Sequence, residues 1–329
     1  GEALVSLSQA VSGYISDRIK KRKVFIWTGY LFGAFSRLGY STSSFWTHLI
    51  PFRIMDRMGK IRGAPRDALV ADISKDENRG KHFGLLRAMD NLGAVFGILI
   101  CIAFFQLLGY RLLFALAAIP SVIGAILILS LIKESKSEGI KIYKGISFKD
   151  LDRNFLLFLA LSSFYALGAF SYSFILVYAS KFGFKPGFVP VLYLIFTAFA
   201  SLSSYPFGRL SDKIGRKSVL LLSYLFWIAL CLAIISHPNR MLIFLIFILY
   251  GLHKGALDPV QKTFVAELAP LEFRASCLGG FQMVTGFCAL PASLIAGVLW
   301  DSLGIFSPFY FSLFLTIVSG IMLLFVKKK

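Results

Sequence analysis

Acidic residues are scarce in this sequence, 17 Asp and Glu among 329 residues, and charged residues together make up only 16% of it. An ordinary soluble domain carries about a quarter. No polar stretch is long enough to fold as a soluble catalytic domain. The four cysteines (Cys101, Cys231, Cys277 and Cys288) fall in or beside apolar runs with no Cys-x-x-Cys spacing, which sets aside a zinc site or a disulfide framework. The chain has no His-Glu-x-x-His helix, no Gly-x-x-x-x-Gly-Lys-[Ser/Thr] phosphate loop and no Gly-x-Ser-x-Gly elbow. No enzyme activity, cofactor or metal is expected.

What is abundant is apolar. Hydrophobic residues make up 57% and aromatics 16% of the chain, and the mean hydropathy is +0.74. Crossing about 30 Å of hydrocarbon takes about 20 apolar residues. Runs of that kind occupy 84–108, 110–132, 155–180, 187–208, 218–237, 278–300 and 306–326, with 24–42, 240–257 and a short run at 1–15. The formal charge of +18 belongs to the segments between such runs and argues for topology, not nucleic acid. The expected fold class is an all-α polytopic membrane protein. The 34 Phe are read as lipid-facing bulk, and His48, His82 and His237 as residues near span ends.

An internal repeat orders these spans. Gly13-Tyr-Ile-Ser-Asp17-Arg-Ile aligns with Gly208-Arg-Leu-Ser-Asp212-Lys-Ile at an offset of 195. The same offset places Val70-Ala71-Asp72 on Val265-Ala266-Glu267, Glu77 on Glu272, Arg79 on Arg274 and Gly84 on Gly279. Charged residues 45–71 look like a loop, yet their partners at 240–266 are plainly a spanning helix, so 45–71 is expected to be a helix lined by charge. The second repeat begins near Asn154, and its partner would begin about forty residues before Gly1. The expectation is therefore eleven helices of twelve. They group as an N-terminal bundle over 1–132, a linker over 133–154 and a C-terminal bundle over 155–329. Lys and Arg number 22 on the side of the linker and 4 on the other, which puts the linker and the C-terminus in the cytoplasm.

These residues resemble a known family. Gly-x-x-Ser-Asp-[Arg/Lys]-Ile with a following basic cluster, twice, is similar to motif A of the major facilitator superfamily, whose fold is two parallel six-helix bundles. Arg53 with Gly59 resembles motif B, and Gly93-Ala-Val-Phe-Gly97 resembles motif C, with Ile98 where antiporters have Pro. The segments 56–72 and 290–301 are similar to a prokaryotic branch of the superfamily. The resemblance implies a monomeric secondary transporter in the plasma membrane of a prokaryote, with the lipid bilayer and a small-molecule substrate as partners.

Motif A places its acid where a helix end meets the start of a helix from the other half. There a carboxylate is favoured by about 0.3–1 kcal/mol. Gly13, Asp17, Arg18, Gly208, Asp212 and Lys213 are the candidate gate residues. On the fourth helix Arg53, Asp56, Arg57 and Lys60 share a face at i, i+3, i+4 and i+7. Exposing them to lipid would cost on the order of 10 kcal/mol, so they line a wet cavity or pair among themselves. Arg87 with Asp90, and His253 and Lys254 with Asp258, have the same character. Asp90 is the candidate proton-coupling acid. Arg87 keeps it ionised until substrate draws the guanidinium away.

Across these helices eight cations face four acids, which favours an anionic or zwitterionic substrate over a drug-like efflux substrate. The competing readings are a non-transporting scaffold or sensor on the same fold, and a passive channel.

Overall fold

The computed structural model describes residues 2–132, 151–169, 172–180, 184, 188–236 and 239–327. Most of the expected linker, with Lys181, Lys185 and His237, lies outside the described residues. Among the described residues twelve α-helices follow one another: α1 Glu2–Ile19, α2 Lys23–Thr42, α3 Trp46–Met58, α4 Gly63–Ile73, α5 Arg79–Leu131, α6 Arg153–Gly168, α7 Tyr172–Ser180, α8 Val189–Ile214, α9 Arg216–Ile235, α10 Arg240–Leu268, α11 Arg274–Leu303 and α12 Ser307–Phe325. No strand occurs among the described residues. Seven helices or helix pairs there are long and apolar enough to cross a membrane.

Turn chemistry sets the boundaries. The described positive-φ residues are Lys20, Gly109, Gly215 and Gly304, and the 195 offset pairs them as Lys20 with Gly215 and Gly109 with Gly304. Lys20 and Gly215 close α1 and α8, which end at Ile19 and Ile214. Gly109, at φ 63° and ψ 177°, breaks α5 into two arms where the sequence placed the gap between two spans. Glycine reaches this backbone region without the Cβ clash that excludes other residues. Short 3₁₀ turns at Asp76–Asn78 and Leu271–Phe273 precede α5 and α11, again at the same offset. Pro190 and Pro308 occupy the first turns of α8 and α12, where the missing N–H leaves no bond unmade.

The charged segment is helical but not continuous. A 3₁₀ turn at Gly59–Arg62 separates α3 from α4. Pro65 cannot donate to the carbonyl of Ile61, and Gly59 packs against the backbone of Gly29 on α2, so the chain tightens there. Arg62 braces the turn by donating to Gly59 O at 2.8 Å and lying 4.7 Å over the Tyr30 ring. The expected span 155–180 is interrupted too, because α6 ends at Gly168 and α7 begins at Tyr172. Counted as rods, with α3–α4 and α6–α7 joined and α5 divided at Gly109, the described residues form eleven.

The described chain falls into two compact units. The first comprises Gly1–Ile73, Ile100–Leu151 and Ala269–Val284; the second comprises Ser74–Leu99, Asp152–Leu268 and Thr285–Lys329. Each unit thus contains one segment from the other half of the repeat. The first unit packs small residues closely, with Ala34, Ala64, Ala68 and Ala71 almost fully buried. The second has a bulkier core of Phe158, Tyr178, Trp227, Phe247 and Phe309. Its buried polar tips are satisfied. Trp227 Nε1 donates to Ser312 Oγ and Tyr178 Oη to Ile234 O, both at 2.8 Å, as burial of such groups requires.

Candidate functional site

The two motif-A aspartates each cap a helix from the opposite half of the sequence. In the second unit Asp212, two residues before the end of α8, accepts from Gly80 N at 2.9 Å and Lys81 N at 2.7 Å. In the first unit Asp17, two residues before the end of α1, accepts from Ser276 N at 2.6 Å and Ser276 Oγ at 2.7 Å. Gly80 and Lys81, like Ser276, belong to first helical turns whose N–H groups have no partner within the helix. A charged acceptor there gains the helix dipole and charge-assisted hydrogen bonds together.

Close approach makes this possible. A Cβ on Gly208 would overlap the carbonyl oxygen of Gly80, and a Cβ on Gly13 would overlap that of Ala275. Gly84 and Gly279 widen the same contacts, since a Cβ on either would lie 2.6 Å from Ser204 O or 2.5 Å from Gln9 O.

Around each aspartate stands a matching ion-pair network. In the second unit Arg216 reaches Asp212 at 2.5 Å and Glu267 at 2.7 Å, and Arg79 lies 3.9 Å from Glu267. In the first unit Arg22 reaches Asp17 at 3.5 Å and Asp72 at 2.5 Å, and Arg274 reaches Asp72 at 2.6 Å. The repeat equates Asp72 with Glu267 and Arg79 with Arg274, yet the partners are exchanged. Asp72 takes Arg274 and Glu267 takes Arg79, each from the other half. Arg18 and Lys213, the basic residues beside the aspartates, are exposed. Arg22 and Arg216 stand in their place, and the offset did not find them because it pairs Arg22 with Lys217 and Arg216 with Lys21.

The charged stripe lies in the first unit. Asp56 Oδ2 is 3.8 Å from Arg57 Nε, so the acid's partner is its chain neighbour. Arg53 lines a pocket of about 480 Å³ with Tyr40, Leu49, Ile54 and Phe114. None of α3 is buried. Arg66 lies 3.3 Å from the fully buried Asp67, a structural pair.

The second unit gathers the other candidates. Arg87 Nη1 is 3.6 Å from Asp90 Oδ2, and Lys254 Nζ is 3.6 Å from Asp258 Oδ1. Arg87 also acts electrostatically on both Lys254 and Asp258, which joins the two pairs into one cluster. His253 is placed differently. It is fully buried, with Nδ1 2.7 Å from Ser223 O and Nε2 2.7 Å from Tyr165 Oη. A carbonyl only accepts, so Nδ1 donates and Nε2 accepts from the tyrosine. The ring sits against Trp227 and Tyr165 at centroid distances of 5.2 and 5.8 Å, tying α10 to α6 and α9. It therefore serves packing, one position before the half-exposed Lys254. His82 Nδ1 lies 2.7 Å from Ser74 Oγ at the start of α5. Among the described residues no cluster of metal-ligating side chains occurs.

The fold and these sites can be compared with known proteins. The human organic anion transporter MFSD10 (TETRAN) has a similar fold, with a TM-score of 0.81 at 15% identity over 98% of this chain and 81% of that one. The proton:xylose symporter XylE follows, with a TM-score of 0.77 at 15% identity over 99% and 85%. By sequence, the uncharacterized MFS-type transporter MJ1317 of Methanocaldococcus jannaschii is 36% identical over 338 residues, 99% of this chain and 83% of its own length. The multidrug resistance protein MdtH of Cronobacter sakazakii is 26% identical over 298 residues, 88% and 73% of the two chains. The Major Facilitator Superfamily model matches residues 3–199 and again 156–329, which together take in nearly the whole chain. The chain belongs to the major facilitator superfamily of integral membrane transporters.

Proposed function

We propose that the protein is a secondary active transporter that moves a small molecule by exposing a central site to each side of the membrane in turn. The pair of exchanged helix caps carries this reading. Asp212 holds the first turn of α5, and Asp17 holds the first turn of α11. α5 continues from the second unit into the first, and α11 from the first into the second. A cap of this kind is worth about 0.3–1 kcal/mol, rising to about 2 kcal/mol when partly buried. Two of them, with their ion pairs, bias a conformational equilibrium by a few kcal/mol while leaving it reversible. The rival readings, a scaffold or a channel, give no reason for two such devices.

The excess of basic residues on one side supports placing the capped helix starts, the linker and the C-terminus at the cytoplasmic face. The prokaryotic relatives support a plasma-membrane location. Eight cations against four acids across the charged helices support an anionic or zwitterionic substrate. A second reading, efflux of drug-like compounds, is favoured by the similarity to MdtH. Asp90, held by Arg87, is the proposed proton-coupling acid. Protonation there and release of Arg87 toward substrate would be one exchange of charge.

The test is uptake and efflux screening of the intact protein in proteoliposomes, with Asp90→Asn alongside under an imposed pH gradient. Gradient-driven accumulation that is lost in Asp90→Asn while substrate exchange persists supports coupling at Asp90. Accumulation at the unmutated level dismisses it. Flux that never saturates, or no flux of any compound, would instead favour the channel or the scaffold.

A further inference from the structure

The Gly59–Arg62 turn joins two helices that are held very differently. No residue of α3 is buried, whereas Gly63, Ala64, Pro65, Asp67, Ala68 and Ala71 of α4 are. One carbonyl decides the geometry between them. An α-turn would pair Gly59 O with the N–H four residues on, at Gly63. Here the Gly63 N–H is directed to Lys60 O, the shorter reach of a 3₁₀ turn. Gly59 O accepts instead from Arg62 Nη1 at 2.8 Å. The same nitrogen lies 3.4 Å from Gly29 O on α2, and the guanidinium lies 4.7 Å over the Tyr30 ring. Gly29 permits the approach, since a Cβ there would stand 2.7 Å from Gly59 O. A side-chain cation thus takes the place of the helix's own amide, and α2 holds it there.

We infer that Arg62 is a positioning residue: by displacing the Gly63 N–H from Gly59 O it keeps the turn in its 3₁₀ form, and so sets the direction in which α3 presents Arg53, Asp56 and Arg57. The inference concerns conformation alone. It stands or falls whether or not the protein moves a substrate.

The geometry gives the size of the effect. A 3₁₀ turn advances about 120° and about 2.0 Å per residue, an α-turn about 100° and about 1.5 Å. Over the four residues of this turn the difference comes to about 80° of rotation and about 2 Å of length. Because α4 is the buried partner, α3 carries the rotation. In a continuous helix Asp56, Lys60, Gly63 and Asp67 would follow at i, i+4, i+7 and i+11 along one face. The turn breaks that line and parts the α3 charges from Asp67, which is fully buried beside Arg66. In α10 the corresponding line is whole, with Lys254, Asp258 and Lys262 at i, i+4 and i+8 of one helix. A guanidinium suits the task, because a charged donor makes a stronger hydrogen bond than a backbone amide.

A distance between two labels reads the direction of α3. Spin labels are attached to cysteines at Leu38 of α2 and Ile54 of α3, which are 43% and 46% exposed. The intact protein, with its four native cysteines replaced by serine, is reconstituted in nanodiscs. At a helix radius of about 5–6 Å, a rotation of about 80° carries a side chain roughly 6–8 Å. Arg62→Met removes the donors and keeps much of the stem. It should move the population toward the continuous form by at least about tenfold, the loss of one hydrogen bond to a charged donor, seen as a second distance displaced by several ångström. Arg62→Lys still donates and should keep the unmutated distance. Gly63→Pro removes the competing N–H, and an added Cβ there meets only the side chain of Gln9. Combined with Arg62→Met, it should restore the unmutated distance, which an arginine that merely packs gives no reason to expect. Tyr30→Leu leaves Arg62 in place without its ring, and should show the same second distance at lower population even if Arg62→Met does not fold. A single unchanged distance in Arg62→Met and in Tyr30→Leu would overturn the inference. So would an equal shift in Arg62→Lys or in the double variant.

Discussion

Asp212→Asn isolates the charge of one cap while keeping its shape. In the native protein the carboxylate accepts from two unpaired N–H groups of the first turn of α5, at 2.9 and 2.7 Å, and from Arg216 at 2.5 Å. The Asp212 and Arg216 side chains are each only 7% exposed, so solvent screens these contacts little. Asparagine can still accept one hydrogen bond through its oxygen, but it loses the interaction with the helix dipole and turns charge-assisted bonds into ordinary ones. The dipole part is worth about 1 kcal/mol in a partly buried setting, and the weakened hydrogen bonds add about 0.5–1 kcal/mol. Arg216 remains anchored on Glu267 at 2.7 Å, which limits further collapse. The sum, about 1.5–2 kcal/mol, is an increase of roughly tenfold to thirtyfold in the population with the cap open. Hydrogen–deuterium exchange of the peptide spanning the start of α5 reads this directly, because the Gly80 and Lys81 amides exchange only when the cap is released. Acceleration by that factor, confined to this peptide and its partner segment on α8, is the expected outcome. Unchanged exchange at these amides together with unchanged transport would refute the reasoning.

Gly208→Ala should open the same contact sterically, because its methyl would overlap the Gly80 carbonyl; a loss of about 1–3 kcal/mol, measured as detergent melting, should come with faster exchange at the start of α5. A double-mutant cycle between Arg216→Gln and Glu267→Gln should give a coupling of about 1–3 kcal/mol, while the cycle between Arg79→Gln and Glu267→Gln should give less than about 1 kcal/mol, since that pair is 3.9 Å apart. Gly304→Ala should destabilise the protein by about 1–2 kcal/mol, as its φ of 97° lies where a Cβ is not tolerated. His253→Phe leaves the buried Tyr165 hydroxyl without its 2.7 Å partner and should lower stability by about 1–3 kcal/mol; adding Tyr165→Phe should recover part of that loss in the same melting assay.

Much of the architecture was legible in the sequence because it is written twice. The offset of 195 located the helix in 45–71 that hydropathy alone hid under seven charges, and the break at Gly109 fell where two apolar runs met. The duplication could not reveal departures from itself. The 3₁₀ turn at Gly59–Arg62 has no counterpart in α10, where Lys254 and Val260 stand at the positions matching Gly59 and Pro65 and the helix carries Pro259 without a break. The cations of the cap networks were missed for a similar reason. Arg22 and Arg216 are one residue out of register in the repeat, although they do the same thing in space. His253 marks the limit of local spacing. Helical periodicity saw Lys254 and Asp258 as neighbours, but the Tyr165 that holds His253 is 88 residues away in sequence, and only folding brings it there.

The central claim is that one site is exposed to the two sides of the membrane alternately, under the control of the two caps. It is tested most directly in sealed proteoliposomes of known orientation. The protein carries Lys254→Cys as its single cysteine, with Cys101, Cys231, Cys277 and Cys288 replaced by serine, and is labelled with a membrane-impermeant maleimide from each side separately. The account predicts that Asp212→Asn and Asp17→Asn raise labelling from the side of the capped helix starts and lower it from the opposite side, by reciprocal amounts. Labelling from both sides at once in every variant, or the same one-sided labelling with and without the aspartates, would contradict it.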